Sequence, residues 1–186
     1  MLLLPSLMLL LLAAPPPDTQ GISGVDGKAV RADLKNAERN IDDRVQQATS
    51  RAPFALLGQT RGAYLPGYGA VFSLEVNLVP VAGLSPFRPA YSRPEIQNLN
   101  QQKRAKLADL RTQLRQVLVD QGAALTRLPP TEKVAIVVTL FNFNWEDTNG
   151  LPSQLVLQAT RQSLSELHVR KASPEAIAAA IEVKEF

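Results

Sequence analysis

Between Lys28 and Thr49, apolar residues fall at Val30, Leu34, Ala37, Ile41, Val45 and Ala48. Steps of three and four residues put all six on one face of a helix, with Arg31, Asp33, Lys35, Glu38, Arg39, Asp42, Asp43 and Arg44 on the others. Lys35 and Arg39 form a like-charged i,i+4 pair that Glu38 offsets. Two of the six are alanines, so the expectation is a helix laid on a partner surface rather than one at the centre of the core.

The period then changes. Phe72, Leu74, Val76 and Leu78 alternate with Val71, Ser73, Glu75, Asn77 and Val79, which is the two-residue period of a strand. Phe54–Leu65 is the other arm of the hairpin, joined through Leu65-Pro66-Gly67-Tyr68. Pro presets φ at the second turn position and Gly accepts positive φ at the third, as a type II turn requires. Gly58 and Gly62 weaken the first arm, mark a bulge or a close backbone approach, and assign it to a sheet edge.

A helix from about Glu95 to Thr126 carries the stripe Ile96, Leu99, Leu107, Leu110, Leu114, Val117, Leu118, Gln121 and Leu125, with Lys103 standing where an apolar residue is due. Leu128-Pro129-Pro130 ends it. Val134–Phe143 is apolar almost throughout, which predicts a central strand buried on both faces. Asn149-Gly150 turns the chain into a returning strand at Leu155–Thr160. Ser163-x-x-Glu166 has the spacing of a capping box, and Ser173-Pro174-Glu175 opens a short alanine-rich helix reaching about Glu182. The order α, hairpin, long α, hairpin, short α predicts an α+β fold. Its four-stranded antiparallel or mixed sheet is covered by the long helix and forms a single domain over 28–186.

Ahead of that domain, residues 1–14 are uncharged and apolar, and Pro15-Pro16-Pro17 follows. The run is shorter than the roughly 20 residues that span a bilayer and matches a secretory leader, or an apolar anchor where it is retained. Residues 15–27 read as a Pro/Gly linker. The expected location is therefore periplasmic, extracellular or in the cell envelope.

Composition removes much chemistry. No cysteine is present, which excludes thiolate metal sites and cysteine nucleophiles, and the lone His168 excludes a two-imidazole site. No serine lies in a nucleophile elbow, no calcium-loop spacing occurs, and the Gly58–Gly69 cluster lacks the Gly-Lys-Ser/Thr of a phosphate loop. No catalytic set, cofactor motif or metal site is assigned. Glu146-Asp147, with Glu75 on the other hairpin, is the nearest approach to a carboxylate pair and would serve a carboxylate- or metal-dependent hydrolase. The formal net charge is +3. Lys103, Arg104, Lys106, Arg111 and Arg115 would make the long helix a polyanion- or membrane-surface binder. Nucleic acid is not the expected partner.

The remaining signal is aromatic. Tyr64 and Tyr68 bracket the Pro-Gly turn near Arg61, and Phe141, Phe143 and Trp145 alternate beyond the central strand. Amphipathic rings at turns and strand ends make rigid contact surface. The sequence therefore predicts a non-enzymatic binding or scaffolding domain, with an envelope protein as the expected partner. Arg61, Tyr64, Tyr68, Trp145 and Asp147 are its candidate contact residues.

Overall fold

The computed structural model describes residues 26–47, 54–83 and 90–186. The leader at 1–14 and the linker up to residue 25 lie outside the described residues. Helix α1 spans Gly27–Gln47; strands β1, β2 and β3 span Ala55–Leu56, Arg61–Leu65 and Gly69–Asn77. Helix α2 spans Arg93–Ala124, strands β4 and β5 span Lys133–Leu140 and Gln154–Thr160, and α3, α4 and β6 span Arg161–Val169, Pro174–Ala180 and Glu182–Glu185. The fold is α+β.

The sheet has six strands rather than four. β1 and β2 both pair with β3, which is followed by β4, β5 and β6. The first hairpin arm is broken into β1 and β2 by a bend at 57–60, where Gly58 has φ +98°. The added strand, β6, runs antiparallel to β5. β3 and β4 are parallel, since α2 carries the chain back to the end of the sheet at which β3 starts, and every other pairing is antiparallel.

Helices α1, α2 and α3 pack on one face of the sheet, and α4 packs against α2 and α3. Phe72, Leu74 and Val76 of β3, Val134, Ile136 and Val138 of β4, and Leu155 and Leu157 of β5 are buried beneath them. The stripe of α2 covers these residues through Leu107, Leu110, Leu114 and Leu118. Helix α1 belongs to the same core, contrary to the expectation from its alanines: Val30, Leu34, Ala37, Ile41 and Val45 are all buried. Ala37 is as well buried as the larger residues of the stripe, and Ala48 lies outside the described residues.

The opposite face is open, which corrects the expectation that β4 is covered on both sides. Ser73, Glu75 and Thr139 are exposed there, and Val71 and Val137 are half-buried. β4 also stops at Leu140, three residues early. It is nonetheless central, lying between β3 and β5.

Two helix starts behave differently. Ser173 caps α4 through Ala176 N–H at 3.3 Å, as its sequence predicts. At α3 the cap is Thr160, whose hydroxyl accepts from Ser163 N–H at 3.2 Å. Ser163 therefore lies inside the helix, because β5 runs directly into it.

Candidate binding surface at the carboxyl ends of the central strands

The turn between β2 and β3 forms as expected: Tyr68 N–H donates to Leu65 C=O at 3.0 Å, and Gly67 has φ +82°. Its tyrosines face inward chemically. Tyr64 Oη donates to Glu132 Oε1 at 3.0 Å, and Gly67 N–H donates to the same oxygen at 3.2 Å. Tyr68 Oη donates to Gln158 Oε1 at 2.8 Å, and Gln158 Nε2 donates to Glu182 Oε2 at 2.6 Å. Tyr68 thus spans β4 on the open face of the sheet. Ala135, paired opposite Gln158, is only 1% exposed. Partial burial, reinforced by the charge of Glu182, raises the Tyr68 phenol above its ordinary pKa. Hydrogen bonds from Lys184 and Gln158 hold the Glu182 carboxyl below its own.

Trp145 and Asp147 lie at the other end of β4. Eight residues of strand separate the two places, about 25 Å at roughly 3.3 Å per residue. The five candidate residues therefore do not line one cleft. Tyr64 and Tyr68 brace the amino end of the parallel pair, Trp145 and Asp147 occupy its carboxyl end, and Arg61 opens β2 at the sheet edge, paired with Ser73, beside a depression that it lines together with α1.

The carboxyl end holds an aromatic cluster. Trp145 is stacked with Tyr91 (ring centroids 4.4 Å apart, planes 14° apart) and with Phe143 (5.5 Å, 13°). Phe141 meets Phe143 edge to face at 5.0 Å. All four rings are half-buried. Tyr91 sits just before α2, whose Ser92–Glu95 capping box fixes the entry of the chain, with Ser92 N–H donating to Glu95 Oε2 at 2.7 Å.

One face of α2 pins the loop that carries the other three rings. Lys103 Nζ donates to the Glu146 carboxylate, to Asn142 Oδ1 at 2.8 Å and to Phe141 C=O at 3.4 Å, so each ammonium proton has an acceptor. Glu146 in turn accepts from Phe143 N–H at 3.2 Å. One helical step away, Asn100 Nδ2 donates to Asp147 C=O at 2.8 Å and Asn149 C=O at 3.2 Å. Arg104 Nη2 donates to Asn149 C=O at 2.9 Å. Asp147 turns the loop through its own carboxylate, which accepts from Asn149 N–H at 3.0 Å.

Lys103 in the α2 stripe was the sequence signal for this arrangement, and its meaning depended on Glu146 arriving from a distant loop. The basic residues of α2 are engaged to different degrees, and Arg115 is half-buried. Lys103 is fully buried, Arg104 is bound to the loop, Arg111 is paired with Glu185, and Lys106 lies 5.4 Å from the centre of the Phe54 ring. The carboxylates are also kept apart, since Glu146 is buried against α2 and Glu75 is exposed on the open face of β3. Among the described residues, no three His, Asp or Glu side chains converge as metal ligands. No described helix is long and apolar enough to cross a membrane.

No protein-family model matches the chain, and no curated protein or solved structure does.

Proposed function

We propose that this chain is an exported, non-enzymatic binding domain whose recognition surface is the aromatic loop at the carboxyl ends of β3 and β4. A polypeptide of the cell envelope is its partner. The observation that carries the reading is the Tyr91–Trp145–Phe143 stack held half-exposed by a buried ion pair. Half-buried Trp and Tyr rings present large rigid contact area at low entropic cost, and such residues dominate binding energy in protein interfaces. A buried ion pair adds little net stability against apolar residues of the same volume. What it supplies is a fixed loop geometry, which a binding surface needs and a solvated connection does not.

The test is photo-crosslinking from two exposed positions, Asn144 in the loop and Leu65 at the opposite end of the sheet. In envelope extract, a discrete polypeptide adduct should form from position 144, be absent from position 65, and disappear in Trp145→Ala with the far-UV spectrum unchanged. Equal adducts from both positions, or an adduct that survives Trp145→Ala, would overturn the assignment. Export is tested separately by amino-terminal sequencing of secreted material, which should start after the apolar run. Intact Met1 in a cytosolic fraction would reject it.

A further inference from the structure

We propose that the pocket between α1 and the β1–β2 bend binds small anions carrying a terminal phosphate group. The pocket has a volume of about 380 Å³, and Arg31, Lys35, Arg39 and Arg61 line it. Its two carboxylates are already engaged. Glu38 Oε1 accepts from Gly62 N–H at 2.8 Å, and Asp42 Oδ1 accepts from Thr60 N–H at 3.0 Å. With Arg31 Nη1 donating to Gly62 C=O at 2.6 Å, these bonds close off the unpaired edge of β2, which would otherwise be open to another strand.

The cations are in excess of that structural need. Arg31 also bonds Glu38, and Arg39 bonds only the neutral Asn36. The side chains of Lys35 and Arg61 have no hydrogen bond or ion pair among the described residues. Four positive and two negative side chains leave a surplus of two charges, which suits a dianionic phosphate. Arg31, Lys35 and Arg39 also stand at i, i+4 and i+8 on α1, a spacing at which like charges oppose helix formation. A bound polyanion converts that repulsion into attraction, and guanidinium forks match phosphate oxygens in pairs.

Thr60 provides an independent indication. It lines the pocket, is only 2% exposed, and its Oγ1 is buried with no hydrogen-bond partner. A hydroxyl left in that state costs free energy that an acceptor oxygen recovers. Cations with no structural counterpart and an unsatisfied hydroxyl thus meet in one depression.

The probe is inorganic pyrophosphate, added to the full chain at constant ionic strength while thermal unfolding is followed. A ligand that binds the native state raises the midpoint with concentration. The midpoint should rise saturably in the wild type and in Arg170→Gln, a control at an exposed basic residue outside the pocket. It should not rise in Lys35→Gln/Arg61→Gln. That double variant should fold without ligand at a midpoint no lower than wild type, because it removes repulsion. Thr60→Val should fold normally and need at least tenfold more pyrophosphate for the same rise. Glycerophosphoglycerol, the soluble headgroup of an anionic lipid, is a monoanionic diester without a terminal phosphate: a rise with pyrophosphate alone supports the assignment, and an equal rise with the diester overturns the requirement for a terminal phosphate in favour of a lipid headgroup. No rise in the wild type, or an undiminished rise in the double variant, overturns the proposal.

Discussion

Lys103 and Glu146, forty-three residues apart, meet with 0% and 1% of their side-chain surfaces exposed. An ion pair so deeply removed from water is stable only as a pair. Lys103→Met should leave Glu146 as a lone buried carboxylate and cost about 3–5 kcal/mol in denaturant melts. Lys103→Met combined with Glu146→Leu should recover most of that loss, because apolar replacements of similar volume need no counter-charge. Additive losses in the double variant would show that the two side chains act separately.

The double variant also separates stability from recognition. With the pair gone, the loop keeps its anchors at Asn100 and Arg104 but loses the bonds that fix Phe141, Asn142 and Phe143. The single tryptophan, Trp145, reports on this directly. Its emission should move to longer wavelength in the folded double variant as the Tyr91 and Phe143 contacts loosen. An unchanged spectrum would mean that the aromatic stack is held without the ion pair.

Gly67 and Gly69 separate two demands made on glycine in one turn. At Gly67 (φ +82°) an added Cβ meets nothing within 4 Å, so Gly67→Ala carries only the conformational penalty, about 1 kcal/mol. At Gly69 (φ +129°) the Cβ would fall 1.9 Å from Lys133 C=O, in the first rung of the parallel β3–β4 pair. Gly69→Ala should therefore cost about 3 kcal/mol, as backbone strain and overpacking add. Equal losses in urea melts would contradict this division.

Much of this fold is legible in residue order. The α2 stripe, the alternation in β3 and the Pro-Gly turn are local signals, and each is strong enough to survive tertiary packing. β6 was not legible: Glu182-Val183-Lys184-Glu185 offers a single half-buried apolar residue, and its pairing with β5 rests on backbone hydrogen bonds and the Gln158–Glu182 contact, neither of which shows as a pattern of apolar residues. The open face of β4 was misread because Ala135 and Val137 look like core residues. Ala135 is in fact sheltered on that side by its own chain, where Tyr68 reaches across to Gln158. The candidate site was legible only in pieces. Trp145 declared itself by type, and Lys103 by standing out of pattern. Tyr91 gave no sign, because only the fold brings the segment before α2 against the loop after β4.

Tyr68 yields a prediction in pH. Its phenol is raised above the ordinary value near 10, chiefly by burial and then by Glu182. The native state therefore keeps the phenolic proton at pH values where the unfolded chain has lost it. Above the unfolded pKa, unfolding releases a proton, so stability falls as pH rises. The contribution is complete below about pH 9 and is lost as pH climbs through 10 towards the folded pKa. The informative quantity is the difference between wild type and Tyr68→Phe, in which every contribution common to the two proteins cancels. Urea midpoints measured from about pH 8 to 11 should converge as the pH rises, because the phenylalanine has no proton to lose. If the two proteins lose stability in parallel across that range, the Tyr68 hydroxyl titrates equally in both states, and its bond to Gln158 does not restrain it.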